Sequence, residues 1–254
     1  MSSYGRFALV YDRLMEDMPY ADWLRFAREC WNKYGMPATV ADLGCGTGSL
    51  SIPLARAGFE VYGIDLSSDM LTVARSKWDE TSRFDLRTGP GSIRWLNQDM
   101  RDWKLPEPMD SVISFCDCVN YLVEEKDVEA AFKATYNGMR DGGVFLFDVH
   151  PQSRLIEYGE EQPFVLDERD VAYIWTCDLD RPRCEIEHNL TIFSREEDGR
   201  FSRFEETHVQ RAYDADWIEQ ALRRAGFRQV DRYADFELKA PTPHSERLFF
   251  AAVK

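Results

Sequence analysis

Residues 39–48 of the 254-residue chain read TVADLGCGTG, an apolar segment that runs directly into a turn with three glycines at alternate positions. The segment TVADL predicts a short buried strand, and residues 49–57 predict the helix that follows the turn. Glycines permit positive φ angles and let a ligand approach the backbone without meeting a Cβ atom. The helix directs its unpaired N–H groups and the positive end of its dipole towards whatever is bound there. This stretch therefore predicts a strand–turn–helix unit that binds a ligand.

The segments around this unit alternate between strand and helix. Upstream, residues 21–34 place their large apolar side chains on one helical face. Downstream, strands are predicted at EVYGID (60–65), IRWLNQD (93–99), DSVISF (110–115) and VFLFDV (144–149), with helices at 67–78 and at 124–140, the latter stopped by Asp141-Gly142-Gly143. The last strand is apolar throughout, as expected for a central strand covered on both faces. The alternation predicts an α/β, Rossmann-like, doubly wound and mostly parallel sheet.

The alternation stops after His150 and Pro151. Three consecutive strand-like runs follow at VAYIWTCD (171–178), CEIEHNLTIF (184–193) and FSRFEETHVQR (201–211). The segments that join these runs carry hairpin signals, including the pair Asp198-Gly199. Residues 151–212 are therefore predicted to form an antiparallel β insertion.

The C-terminal part returns to the mixed pattern. A helix is predicted at 214–227 and strands at 228–236 and 247–254, which brings the predicted main sheet to seven strands. The predicted organisation has three parts: an N-terminal helical cap at 1–35, a Rossmann-like core at 36–150 and 213–254, and the β insertion at 151–212.

The composition limits the classes of function. The chain has 45 acidic and 31 basic residues and a formal net charge of −14, which disfavours binding to the phosphate backbone of nucleic acids. The six cysteines form no CxxC pair, and Cys116-Asp117-Cys118 has no second ligand pair, so no metal site is predicted. The N-terminus lacks the features of a signal peptide, and no run approaches the roughly 20 apolar residues of a membrane helix. The sequence predicts a soluble, cytoplasmic protein with reduced thiols.

An acidic residue ends the second predicted strand. Asp65 lies seventeen residues after Gly48, where a carboxylate can accept hydrogen bonds from both hydroxyls of a ribose. This placement favours a nucleoside ligand. The glycine spacing is GxGxG rather than the GxGxxG of dinucleotide sites, and Asp42 precedes Gly44 by two positions. An acid there is poorly placed beside a pyrophosphate and suits an ammonium group.

The stretch Asp42-Leu43-Gly44-Cys45-Gly46-Thr47-Gly48 resembles the DxGxGxG motif of the class I S-adenosylmethionine-dependent methyltransferases. In that family the motif cradles the amino-acid part of the cofactor. The resemblance covers roughly residues 36–150 together with the terminal helix and strands. It implies S-adenosyl-L-methionine as the cofactor and S-adenosyl-L-homocysteine as the product.

The resemblance also implies individual cofactor contacts. Asp65 matches the ribose-binding position, Met70 the residue that packs on adenine, and Asp99 the contact to the adenine amino group. Gln98 and Asp102 compete with Asp99 for that role, and Met70 could instead fill the core. The predicted cofactor set is Asp42, Gly44, Cys45, Gly46, Gly48, Asp65, Leu66, Met70, Asp99, Met100 and Cys116, with Tyr11 in an N-terminal lid that includes Tyr4 and Tyr20.

The methyl acceptor is expected above the carboxyl ends of the strands. The family's Asn/Asp-Pro-Pro-Tyr/Phe motif, which serves nucleobase and amide nitrogens, is absent from the matching stretch FCDCVNY at 115–121. Tyr121 and His150 are the candidate catalytic residues, and His150 could be a base, a substrate hydrogen-bond partner or a structural histidine. The candidate acceptor contacts are Tyr121, His150, Tyr173, Trp175 and His188.

These features predict methyl transfer to nitrogen or oxygen of a small-molecule acceptor by direct in-line displacement. A general base is needed only if the acceptor arrives protonated or weakly acidic. Three alternatives stay open at this point: a methyltransferase acting on protein or tRNA, a non-catalytic nucleoside-binding protein, and an NAD-dependent oxidoreductase. The insertion is predicted to be an acceptor lid, or an interface through which a homodimer forms.

Overall fold

The strands form two sheets in the part of the chain that the computed structural model describes, residues 3–82, 91–196 and 198–254. The main sheet contains β1 (Thr39–Leu43), β2 (Glu60–Asp65), β3 (Ser92–Asn97), β4 (Met109–Ser114), β5 (Met139–Val149), β10 (Gln229–Ala234) and β11 (Leu248–Val253). Its order is β10-β11-β5-β4-β1-β2-β3. The pairs among β1 to β5 are parallel, whereas β11 runs antiparallel to β5 and β10. The predicted Rossmann-like, mostly parallel sheet of seven strands is confirmed.

The second sheet lies in the predicted insertion. It contains β6 (Phe164–Asp167), β7 (Val171–Asp180), β8 (Glu185–Arg195) and β9 (Phe201–Arg211), which pair antiparallel in chain order. The sequence predicts β7 to β9 but misses β6 and the helix before it, α6 (Gln152–Glu161). Along α6 only Leu155 is fully buried, so the apolar periodicity that indicates a helix is weak there.

Helices cover both faces of the main sheet. On one face, α2 (Tyr20–Tyr34) and α3 (Ser51–Arg56) pack against the apolar strands, and Trp31 of α2 donates a hydrogen bond to Ser111 Oγ at 2.9 Å. On the other face lie α5 (Glu125–Gly138) and α7 (Ala215–Ala225). The Asp214 side chain caps α7 by accepting from two backbone N–H groups of its first turn. Of the described helices, none is long and apolar enough to cross a membrane.

The N-terminal helix α1 (Ser3–Leu14) joins the two sheets. It packs against α4 (Ser68–Ser82) on the main-sheet side and against β7 and β9 of the insertion. The apolar cluster at this junction contains Ala8, Val10, Met70, Val171, Ile192 and Phe204. This cluster fixes the insertion sheet and α1 above the carboxyl ends of the parallel strands.

Several boundaries differ from the predicted ones, most clearly where α5 meets β5. Asp141-Gly142-Gly143, predicted to stop the helix, lies inside β5, because α5 already ends at Gly138. The pairing with β4 shifts at this point, from Met109 with Met139 to Ser111 with Val144. Gly142 has a φ of +81°, so the glycine permits an irregularity within the strand. In addition, α3 is shorter than predicted, and β3 ends at Asn97.

Candidate functional site

A cavity of about 810 Å³ lies between the two sheets, at the carboxyl ends of β1, β2, β4 and β5, and α1 contributes to its wall. Two groups of residues form most of this wall. The glycine-loop lobe consists of Asp42, Gly44, Cys45, Gly46, Thr47, Asp65, Leu66, Ser67, Met70, Asp99 and Met100. The insertion lobe consists of Asp117, Tyr121, His150, Tyr158, Tyr173, Trp175, His188, Leu190, His208, Gln210 and Arg247. Cys116 and Tyr11 also line the cavity.

The structure brings every predicted cofactor and acceptor residue to this cavity except Gly48. A Cβ atom added at Gly48 would lie 2.6 Å from Cη2 of Trp95. This glycine therefore permits close packing of the Trp95 ring rather than the approach of a ligand. Of the predicted lid, Tyr11 and Tyr20 line the cavity, whereas the side chain of Tyr4 lies outside the described residues.

The glycine turn leaves open space beside its backbone. The φ angles of Gly44, Gly46 and Gly48 are +75°, +52° and +81°, a region that glycine adopts without strain. An added Cβ at Gly44 would lie 2.6 Å from Sγ of Cys118, but one at Gly46 would meet no protein atom within 4 Å. Because Gly46 lines the cavity, its backbone borders space that a ligand can fill.

Asp65 connects the end of β2 to the glycine turn. Its Oδ2 accepts a hydrogen bond from the N–H of Gly46 at 2.8 Å, and its Oδ1 accepts from the N–H of Ser67 at 2.7 Å. Asn97, at the end of β3, donates to the carbonyl oxygens of Asp65 and Leu66 at 3.0 and 2.8 Å. These contacts fix the carboxyl group beside the turn, and burial raises its pKa.

Asp42 places a second carboxyl group under the same turn. It is buried at the end of β1 and accepts a hydrogen bond from Ser51 Oγ at 2.6 Å. Burial raises the pKa of Asp42 to about 7, against the opposing effect of that hydrogen bond, and nearby Asp65 raises it further. A cation bound next to Asp42 would stabilise its ionised form.

Asp99 lines the glycine-loop lobe, and its carboxylate is paired with Arg101. Nε of Arg101 lies 3.0 Å from both carboxylate oxygens, and this hydrogen bonding lowers the pKa of Asp99. Of its two competitors, Gln98 also lines the cavity, but its side chain accepts from the N–H of Lys104 at 2.8 Å. Asp102 is exposed and does not line the cavity. An adenine amino group would therefore share Asp99 with Arg101.

A contact that the sequence analysis missed fixes α1 over the glycine turn. Asp12 of α1 accepts hydrogen bonds from Thr47 Oγ1 at 2.5 Å and from Lys77 Nζ at 2.7 Å. Lys77, on α4, also donates to Thr47 Oγ1 at 3.3 Å. Next to Asp12 in the chain, Tyr11 faces the cavity, and desolvation raises its pKa well above its ordinary value. The three partners are far apart in sequence, so no local pattern indicated the contact.

The loop after β4 has a strained backbone that a buried acid stabilises. Cys116 and Asp117 have φ angles of +60° and +51°, a conformation that non-glycine residues adopt only where their surroundings impose it. Asp148 accepts from the N–H groups of both residues, at 2.8 and 3.2 Å, and from Trp23 Nε1 at 2.9 Å. Arg247 also pairs with the Asp148 carboxylate. These contacts hold Asp117 in the wall of the insertion lobe.

The Asp117 carboxylate is the centre of a buried polar group of side chains. Its Oδ1 lies 2.9 Å from Nη1 of Arg247 and 3.3 Å from Nε2 of His150, and its Oδ2 accepts from Nε2 of Gln210 at 2.7 Å. Burial acts to raise the pKa of Asp117, but His150, Arg247 and Gln210 outweigh it and lower the pKa to about 2. Burial lowers the pKa of His150 to about 4, despite the opposing effect of Asp117.

The polar group continues into the insertion sheet. The other end of the Gln210 amide, Oε1, lies 3.3 Å from Nε2 of His188, and Trp175 Nε1 donates to Nδ1 of His188 at 3.1 Å. The sequence indicated His188 and Trp175 as acceptor contacts but gave no signal for Gln210 or Arg247. Gln210 lies on β9 and Arg247 directly precedes β11. Both are far from Asp117 in the chain, and only the folded arrangement brings them together.

Comparison with known proteins shows similarity to methyltransferases. Residues 40–143 match the family of methyltransferase domains. The chain is 36% identical to a "Putative methyltransferase" of Geobacillus sp. (strain WCH70), over 99% of this chain and 100% of that protein. A crystal structure of an S-adenosylmethionine-dependent methyltransferase from Clostridium acetobutylicum ATCC 824 matches with a TM-score of 0.85 at 26% identity, covering 98% of both chains. A glycine/sarcosine N-methyltransferase of Halorhodospira halochloris is 25% identical, over 78% of this chain and 68% of that protein.

Proposed function

The chain belongs to the S-adenosylmethionine-dependent methyltransferases, and we propose that it binds S-adenosyl-L-methionine in the glycine-loop lobe and methylates nitrogen or oxygen of a small molecule in the insertion lobe. One observation carries this proposal: a single cavity of about 810 Å³ joins the glycine turn to the inner face of the insertion sheet. A cofactor in one lobe and an acceptor in the other would meet inside that cavity. S-adenosyl-L-homocysteine would be the product that leaves.

The residues of the glycine-loop lobe fit this cofactor. The open space beside Gly46 can take the amino-acid part of the ligand, and the buried carboxyl group of Asp42 suits its ammonium group. An ionised carboxylate accepts about four hydrogen bonds. At Asp65 the backbone of Gly46 and Ser67 supplies two of these, which leaves acceptor capacity for the ribose hydroxyls.

The adenine end of the ligand would lie against Met70 and Asp99. Met70 lies both in the cavity wall and in the apolar cluster under α1, so packing on adenine and filling the core are compatible roles for it. Asp99 could accept from the adenine amino group while Arg101 keeps its carboxylate oriented. Leu66, which is 70% exposed at the end of β2, would cover the outer edge of the nucleoside.

The size and cover of the cavity favour a small acceptor. Its volume lies within the range of about 300–1,000 Å³ that is typical of small-molecule sites, and α1 and the insertion sheet both contribute to its walls. A tRNA acceptor would bring phosphates to a chain with a net charge of −14. The Halorhodospira halochloris relative, which is named for small amino-acid acceptors, also supports this proposal.

The contribution of the chain to the reaction is alignment and cover. When bound, the cofactor supplies a methyl group that is activated by its positively charged sulfur. Fixing the nucleophilic atom of the acceptor in line with that methyl group can lower the barrier by up to about 7–11 kcal/mol. The insertion sheet and α1 would keep water away from the aligned groups.

The two candidate catalytic residues have different surroundings. Nε2 of His150 faces Asp117, whereas its Nδ1 is buried and has no hydrogen-bond partner in the described structure. A base must reach the proton of the acceptor, and the buried Nδ1 of His150 is not accessible to a ligand in the cavity. His150 is therefore better suited to orienting Asp117 than to acting as a base. Tyr121 is 47% exposed beside His208 at the cavity wall, where it would contact an entering acceptor.

Two linked measurements test this proposal. Calorimetric titration of the purified chain should detect binding of S-adenosyl-L-methionine and of S-adenosyl-L-homocysteine. A screen of small-molecule pools, with S-adenosyl-L-homocysteine release as the readout, should then find turnover. A folded protein that binds neither ligand would contradict the cofactor site. Turnover with tRNA or protein, and with no small molecule, would contradict the proposed acceptor class.

A further inference from the structure

We propose that the acceptor is built on a flat aromatic ring, and that the insertion lobe discriminates against acceptors that carry a carboxylate or phosphate. This inference rests on the proposed function, which places the acceptor in that lobe. Three properties of the lobe support it: the hydrogen bonds of its polar groups, the pairing of its cations, and the rings in its wall.

Four side chains of the lobe are linked by consecutive hydrogen bonds, each donating to the next, from Trp175 to Asp117. The indole N–H of Trp175 can only donate, so Nδ1 of His188 must accept, and Nε2 of His188 then carries the proton. That proton is donated to Oε1 of Gln210, whose amide nitrogen donates to Asp117. The Asp117 carboxylate ends the chain as an acceptor, and it also accepts from Arg247. An entering acceptor therefore finds these polar groups already bonded to one another.

The cations of the cavity are also paired. Among the described residues that line the cavity, two are arginines, Arg101 and Arg247, and none is a lysine. Arg101 pairs with Asp99 and Asp127, and Arg247 pairs with Asp117 and with the buried Asp148.

In the insertion lobe, an anionic acceptor would therefore have to separate the buried ion pairs of Arg247, which is strongly unfavourable because it leaves a buried charge without its partner. The histidines of the lobe do not supply a free positive charge for an anion. Burial lowers the pKa of His150 to about 4 and also lowers the pKa values of His188 and His208, which favours their neutral forms.

Apart from Leu190, the remaining surface of the lobe consists of aromatic and imidazole rings. The Trp175 ring centroid lies 5.3 Å from those of Tyr158 and His188, and Tyr121 lies edge-on to His208 at 6.0 Å. The Arg154 guanidinium lies over the Tyr158 ring at 4.7 Å. Ring faces and edges of this kind stabilise a further aromatic ring by stacking and edge contacts. They offer no charged partner for the carboxylate of a free amino acid or the phosphates of a nucleotide-linked sugar, and burying a charge without a partner is costly.

The acceptor proposed for this chain differs from those in the name of one of its relatives. Glycine and sarcosine, the acceptors in the name of the Halorhodospira halochloris relative, carry a carboxylate. We expect the insertion lobe described above to bind neither of them.

The test compares matched pairs of probes on the full chain with S-adenosyl-L-homocysteine bound. Catechol and aminophenol are the uncharged rings; dihydroxybenzoate and hydroxyanthranilate are the same rings with a carboxylate; sarcosine is the amino-acid probe. Saturation-transfer NMR and calorimetry should show the uncharged rings binding at least about tenfold more tightly than their carboxylated counterparts. Equal or tighter binding of the carboxylated probes or of sarcosine would overturn the inference. So would the absence of ring binding by protein that binds S-adenosyl-L-homocysteine.

Variants of one strand show whether the rings are responsible. Trp175→Leu should weaken ring binding by about fivefold or more, whereas Trp175→Phe, which keeps a ring but loses the N–H donor, should stay within about twofold of the wild type. Ile174→Leu is the matched control, since Ile174 is the next residue and its side chain is 46% exposed on the opposite face. Ring binding unaffected by Trp175→Leu would contradict the inference. Failure of all forms to bind S-adenosyl-L-homocysteine would instead contradict the proposed function.

Discussion

The glycine-loop lobe and the insertion lobe share one cavity but are built in opposite ways. The glycine-loop lobe comes from short contiguous stretches, and it offers a ligand open backbone at Gly46 and carboxyl groups at Asp42 and Asp65. The insertion lobe combines the loop after β4, the residue after β5, α6, three insertion strands and the residue before β11. Several of its polar side chains bond to each other. If the two proposals hold, the first lobe selects its ligand through the groups that it presents, and the second excludes anions because its cation is already paired.

Substitution at Gly46 should break the glycine-loop lobe alone. In Gly46→Val the side chain would enter the ligand space, and a φ of +52° is unfavourable for a β-branched residue. We expect S-adenosyl-L-methionine affinity, measured by calorimetry, to fall by at least about 100-fold, or about 2.7 kcal/mol, while circular dichroism stays close to that of the wild type.

Gly58→Val is the matched control for that substitution. Gly58 has a φ of +102° and no protein atom within 4 Å of an added Cβ, and it does not line the cavity. It should therefore carry a comparable backbone cost without a change in affinity. Wild-type affinity in Gly46→Val would show that this turn does not hold the cofactor.

Asp65→Ala should have the next largest effect. It removes the carboxyl group that orients the turn through Gly46 and that would accept from the ribose. Hydrogen bonds to a charged group contribute about 1.5–3 kcal/mol, so the dissociation constant should rise roughly 10- to 100-fold. Asp102→Ala, which removes an exposed carboxylate outside the cavity, is the control. An unchanged dissociation constant in folded Asp65→Ala protein would remove Asp65 from the site.

The pH dependence of binding should sharpen the role assigned to Asp42. Its pKa is raised to about 7 by burial, so its carboxylate is largely ionised above that pH and protonated below it. A carboxylate that holds an ammonium group predicts an affinity about tenfold lower at pH 6 than at pH 8. Asp42→Asn should remove the part of the pH dependence that this group causes. Identical pH profiles for the two proteins would contradict the assignment.

The stability of the ligand-free protein supplies an independent check on Asp42. A folded-state pKa above the ordinary value of 3.8 means that the folded state retains a proton that the unfolded state has lost. The resulting loss of stability grows as the pH rises from about 4 to about 7 and stays constant above that. At pH 8, Asp42→Asn should therefore unfold at a higher temperature than the wild type, and the difference should shrink towards pH 4.

The smallest effect is expected where α1 meets the glycine turn. Lys77→Met removes the ammonium group that donates to both Asp12 and Thr47, while the direct hydrogen bond from Thr47 to Asp12 can persist. Because the Lys77 and Asp12 side chains are 31% and 39% exposed, the contact should contribute only about 0.5–1 kcal/mol, or a two- to fivefold weaker cofactor affinity. Lys126→Met, on the exposed surface of α5, is the control. An equal effect of both variants would contradict a specific role for the contact.

The parts of the fold with strong local patterns were predictable from the sequence. β1 and β2 match the predicted bounds, because each is a short apolar run that ends at a turn or an acid. β6 and α6 were missed, since their burial depends on contacts with the rest of the insertion and not on a clear period. The Asp-Gly-Gly sequence at 141–143 fits a helix stop equally well, and only the pairing of β5 with β4 places it inside a strand.

In the candidate site, too, residues with a local sequence pattern were predictable and residues brought together only by folding were not. The glycine motif and the end of β2 located the glycine-loop lobe, because each of these short stretches has a recognisable local pattern. Gly48 belongs to the motif but packs against Trp95, and a motif alone does not distinguish a glycine that admits a ligand from one that admits a neighbouring ring. Gln210 and Arg247 gave no local signal, because their partner Asp117 lies far away in the chain.

A crystal structure of the chain with S-adenosyl-L-homocysteine would show directly which of the two lobes holds the cofactor. We expect the amino-acid part of the ligand beside Gly46 and Asp42, its ribose hydroxyls on Asp65, and an insertion lobe still open to an acceptor. Ligand density in the insertion lobe, or a ligand that leaves Asp65 without a contact, would contradict the assignment of the two lobes.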